Sequence, residues 1–91
     1  MNNFYRTLQE VSYKECNCYV ANGRYTPQKN GKIKEYVIYV TDWFSPYYRA
    51  PSKDSINKLI AFASKEFKFD TVVVKEKLLI TALVFSNLVV E

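Results

Sequence analysis

Asn30-Gly31-Lys32-Ile33-Lys34-Glu35-Tyr36-Val37-Ile38-Tyr39-Val40-Thr41-Asp42, running on into Trp43-Phe44-Ser45-Pro46-Tyr47-Tyr48-Arg49, is the stretch on which the reading of this chain turns. Asn-Gly tolerates positive φ at both central positions of a type I′ turn, whose twist matches that of the flanking strands, so it marks a tight hairpin. The β-branched and aromatic residues after it alternate as a strand does. A two-residue turn sets Lys29 opposite Lys32, Tyr25 opposite Tyr36, Gly23 opposite Ile38 and Ala21 opposite Val40. On that register the core face is Tyr19, Ala21, Tyr25, Tyr36, Ile38 and Val40. The other face carries Cys18, Val20, Arg24, Val37, Tyr39, Thr41 and Trp43. A slip of one residue exchanges the two faces, because strand side chains repeat every second residue.

Working outward, Tyr13 to Tyr25 reads as the first strand of this hairpin, with Cys16, Cys18 and Val20 on one side. Residues 1–12 read as a short helix, with Phe4, Leu8 and Val11 at helical spacing and Asn2 or Asn3 as cap, although a strand also fits. After the prolines at 46 and 51, a helix is expected over 52–67. Ser52 caps it, Asp54 suits its first turn, and Ile56, Leu59, Ile60, Ala63 and Phe67 form its apolar stripe. Phe69 to Val74 is a strand, Lys75-Glu76-Lys77 breaks the apolar run, and Leu78 to Phe85 is a further strand or a buried helical turn. The order of elements gives a single α+β domain over 1–91. It is a small two-layer domain with a mostly antiparallel sheet (hairpin about 13–43, strands about 69–85) packed on one main helix at about 52–67.

The chain has 91 residues, enough for one core, and eight Tyr and six Phe to fill it. The start lacks a basic region followed by an apolar run, and Leu78–Val90 is shorter than the roughly 20 residues of a bilayer span. Two cysteines are fewer than a secreted domain of this size carries. These features lead to the expectation of a cytoplasmic protein with no membrane partner. The Lys-, Asn- and Tyr-rich composition has the look of phage and mobile-element proteins and identifies no family.

The chain contains no His, which removes Ser-His and Cys-His nucleophile pairs and the commonest general base near neutral pH. It has neither a P-loop nor a dinucleotide glycine fingerprint. Cys16 and Cys18 supply two of the four ligands a structural zinc needs, and two small buried thiols are the plainer reading. Asp54 with Glu66-Phe67-Lys68 superficially looks like the Asp…Glu-x-Lys set of metal-dependent nucleases. Both carboxylates fall on the expected helix about three turns, roughly 18 Å, apart, too far to share an ion. The expectation is a non-enzyme with no cofactor and no metal.

Binding is the remaining class. Trp43, Tyr47, Tyr48 and Arg49 bring stacking surfaces and a cation together. Lys58, Lys65 and Lys68, with Lys53 nearby, line the polar side of the helix and its end. Lys29, Lys32 and Lys34 form a further basic cluster at the hairpin tip. The aromatic group would also serve to close the core, and the lysines to solvate a helix face. A net charge of +4 agrees with an anionic partner. The sequence thus points to a non-catalytic binding protein that docks onto a nucleic acid or nucleoprotein through basic and aromatic residues. The alternative is a small regulator or inhibitor, of phage or mobile-element type, that binds a host protein.

Overall fold

The computed structural model describes residues 3–42 and 49–90. Helix α1 (Asn3–Val11) runs into a π-helical turn (Ser12–Cys16). Strands β1 (Cys18–Tyr25) and β2 (Lys32–Asp42) follow, then helix α2 (Lys53–Glu66) and strands β3 (Thr71–Glu76) and β4 (Thr81–Val89). The four strands form one antiparallel sheet in the order β1-β2-β4-β3, with both helices against one face. This is the small two-layer α+β domain read from the sequence. No helix among the described residues is long and apolar enough to cross a membrane.

The helix stripes were legible. Phe4, Leu8 and Val11 are the buried positions of α1. Ser52 caps α2, its hydroxyl accepting from the Ser55 N–H, and Ile56, Leu59 and Ala63 are buried with Ile60 and Phe67 packed beside them. Phe4 sits at the centre of the core, its ring 5.0 Å edge-on from each of Tyr36, Phe67 and Phe85. An N-terminal helix is thereby tied to two strands and to the end of α2.

The first hairpin corrects the expected register. Tyr25 does pair with Tyr36, but Asn22 rather than Gly23 faces Ile38, and Val20 rather than Ala21 faces Val40. One extra residue is accommodated in β1 between Asn22 and Tyr25, a bulge that shifts every position before it by one. The core side of β1 is therefore Cys18 and Val20, not Tyr19 and Ala21, while Tyr36, Ile38 and Val40 of β2 point inward as expected. Tyr25 is exposed and stacks on the buried Tyr36, centroids 4.9 Å apart. The strand expected from Tyr13 starts only at Cys18. No breaker follows α1, so the chain continues as a wide turn until Asn17 takes a left-handed conformation (φ 55°), which Asn tolerates, and its N–H closes on the Ser12 carbonyl.

The second hairpin is also displaced. The strands expected at 69–74 and 78–85 lie at Thr71–Glu76 and Thr81–Val89, and Lys75 and Glu76 belong to β3 rather than to the turn. The turn is closed by the Lys77 N–H on the Ile80 carbonyl at 2.9 Å. The face of the sheet away from the helices carries a smaller apolar cluster, Val37, Ala82 and Val84 with Tyr39 against it.

Candidate functional site

The Asn30-Gly31 turn has φ values of 55° and 75°. Lys29 and Lys32 exchange both backbone bonds across it, at 2.8 and 3.1 Å, so two lysines flank the tip. Ile33 is fully buried on the helix side. Its neighbours Lys32 and Lys34 are exposed. Opposite Lys34, Asn87 of β4 also has positive φ (53°), and its side-chain amide donates to Asp70 at 2.7 Å. An open cleft of about 570 Å³ is bordered by Lys29, Lys32, Lys34, Asn30 and Asn87. A second hollow of about 420 Å³ continues from Lys34 and Asn87 to Glu35 and Ser86. All three lysines are exposed, and none forms an ion pair among the described residues.

Lys68 joins this end of the molecule. Its carbonyl accepts the Val89 N–H at 2.9 Å, and Val89 is the partner of Lys32. The backbones of Lys29, Lys32, Val89 and Lys68 thus lie in a row across the sheet, about 15 Å from end to end at ~4.8 Å per strand. Lys65 is exposed in the last turn of α2, and Lys58, also exposed, lies 3.4 Å from Asp54.

The expected binding residues are not one patch. The Arg49 carbonyl accepts the Asp42 N–H at 2.8 Å, which places Arg49 at the far end of β2. That end is roughly 30 Å from the lysine cleft, at ~3.3 Å per strand residue. Trp43, Tyr47 and Tyr48 lie outside the described residues. The cleft lysines stood in the sequence as a tip cluster. What sequence alone lacked was that Asn87 of β4 lies beside them on the same cleft.

Cys16 and Cys18 are free, buried thiols of the core. Burial pushes both thiols up. Cys18 reaches about 12, with the negative charge that Cys16 and Asp42 would carry adding to the effect. Such thiols stay protonated and unreactive near neutral pH. Among the described residues, no three of Cys, Asp or Glu come together as a metal set. Asp54 and Glu66 sit in the first turn and at the last residue of α2, where the helix keeps them apart.

No family model, curated protein or solved structure matches this chain.

Proposed function

We propose that this is a non-catalytic binding protein that docks onto the phosphate backbone of a nucleic acid, bare or within a nucleoprotein. The observation that carries the reading is the convergence of Lys29, Lys32 and Lys34 on one open cleft, with Lys68 in the same row and no described carboxylate paired to any of them. Neutralising phosphates releases condensed counterions, so solvated lysines that are worth little to folding become useful in binding. Lys58 and Lys65 on α2 extend the basic surface. Arg49 provides the second contact of the proposal at the far end of β2, and Trp43, Tyr47 and Tyr48, outside the described residues, remain part of the proposal as stacking side chains. A nucleic acid touching both ends must run along the sheet for about nine base pairs, at ~3.4 Å each.

The test is a salt titration of oligonucleotide binding. Four lysines on phosphates give a slope of log K against log salt of about −3.6 on duplex, or about −2.8 on a single strand. Lys34→Ala should lower the slope by about one and weaken all sequences alike. No salt-dependent binding at low ionic strength would remove the proposal. One observation favours the protein-binding alternative: Leu78 and Leu79 stand exposed at the other hairpin tip. That reading expects a protein partner lost on Leu79→Ser and retained with Lys34→Ala.

A further inference from the structure

The two outer strands of the sheet are protected very differently. Along β1, the bulge at Gly23-Arg24 breaks the ladder, Pro27 follows the strand, and the π-helical turn packs against its start. These are devices that keep an edge from pairing with another chain. β3 has none of them. Its register with β4 is unbroken from Thr71 to Glu76, it contains no proline, and no strand lies beyond it among the described residues. Because Lys77 bonds inward to Ile80, the alternation of an antiparallel ladder directs Val72, Val74 and Glu76 outward with their N–H and C=O groups. The side chains at this edge are apolar on both faces: Val73 is 47% exposed and Val74 40%.

We propose that two copies of the chain associate through β3, edge to edge and antiparallel about a two-fold axis, with Val74 opposite the partner's Val74. The sequence of the edge selects both the occupant and the register. With the two valines at the centre, Val72 meets the partner's Glu76 and Val73 meets the partner's Lys75, so no like charges face each other. Sliding one copy by two residues sets Lys75 against the partner's Lys75 in one direction, or Glu76 against the partner's Asp70 in the other. Like charges directly opposite on a sheet are destabilising. The favoured register is self-complementary, as an isologous contact requires. It doubles the four-stranded sheet into one continuous sheet with the helices of both copies on the same side. It also brings each hairpin tip, with the exposed Leu78 and Leu79, toward the partner's Phe69.

Sedimentation equilibrium of the whole chain from roughly 1 µM to 1 mM reads the association directly. The unsubstituted chain should pass from monomer to dimer, and amide exchange at Val72, Val74 and Glu76 should slow as concentration rises. Val74→Lys should weaken association at least ~10-fold by placing two cations face to face at the two-fold axis. Val73→Glu should keep or tighten it, since each new carboxylate faces the partner's Lys75. Both positions are solvent-exposed in the monomer, and circular dichroism at the lowest concentration verifies the fold of each variant. A chain that stays monomeric throughout overturns the proposal, as does Val74→Lys associating like the parent. Equal weakening by both variants also overturns it, because that marks a general apolar contact without this register.

Discussion

The β1–β2 hairpin turns on Asn30-Gly31 between two lysines, whereas the β3–β4 hairpin turns on Leu78-Leu79 between Lys77 and Ile80. The first tip holds two residues in left-handed conformations that its sequence specifies. The second has no residue suited to positive φ, and among its residues none adopts it. Its position is set from the other side, by the core: Leu83, Phe85 and Leu88 must point inward, and the turn takes whatever residues are left. The two tips lie at opposite ends of the sheet, since β2 and β4 run antiparallel. One tip therefore presents lysines and the other two exposed leucines. A turn fixed by its own chemistry is free to carry charge outward, while a turn fixed by the core exposes residues that local chemistry would not choose.

If that contrast is right, the first hairpin should fail when its backbone requirements are removed. The largest effect belongs to Gly23, in the bulge that sets the register of β1. A Cβ there would collide with the Val37 carbonyl oxygen of β2 and press the Tyr39 ring at 3.0 Å. The obstacle is backbone, so it cannot be relieved by a rotamer change. Gly23→Val should cost at least ~3 kcal/mol, the upper range for overpacking, measured by urea denaturation. A loss below ~1 kcal/mol would mean that β1 can shed its bulge and slip. Gly31→Val is second. Its side chain has room, the nearest neighbour of a Cβ being the Val90 carbonyl oxygen at 3.7 Å, but φ is +75°. The cost is conformational, about 1–3 kcal/mol, and an unchanged melting temperature would show that the tip need not keep this conformation.

A third expectation concerns the core beneath the first hairpin. Cys18 is raised to about 12 in the folded state from an ordinary 9.0, mainly by burial. A group with a raised folded value favours folding fully below the unfolded value and loses that contribution as pH rises toward the folded one. Unfolding free energy should therefore fall between about pH 9 and pH 12 by more in the parent than in Cys18→Ala. Parallel pH profiles for the two would show that the thiolate is accommodated in the fold.

Much of this architecture could be read from periodicity. The stripes Phe4-Leu8-Val11 and Ile56-Leu59-Ala63 gave both helices, and Ser52 gave the start of the second. Asn30-Gly31 gave the tip and the Tyr25–Tyr36 pair. The faces of β1 were misread because a bulge leaves little trace in an alternating pattern. Gly23 was its only mark, and the need for glycine there comes from a neighbouring strand. Likewise, Lys75 and Glu76 look like turn residues, but on an outer strand they meet solvent and can stay in the ladder. The candidate site was legible as a list of lysines and not as a surface. The cleft is lined by Asn87 of β4 together with Lys34 of β2, and the separation of Arg49 from Lys68 depends on the direction of β2, both matters of tertiary pairing.

The smallest expected effect tests the other half of the contrast. Leu78 is 89% exposed and Leu79 51%, so neither contributes much buried area to the monomer. With positive φ absent from this turn, no backbone strain restricts the choice of residue. Leu78→Ser should change stability by no more than ~0.5 kcal/mol, the usual range for a surface substitution away from special features. The measurement should be made at the lowest usable concentration, where association cannot add to the free energy of unfolding. A loss above ~1 kcal/mol under those conditions would place the leucine in a packed role within the monomer, and the distinction between the two tips would fail. A negligible loss that grows with protein concentration would instead locate the value of the exposed leucine in contact with another chain, where an apolar tip is an asset and the lysine tip is not.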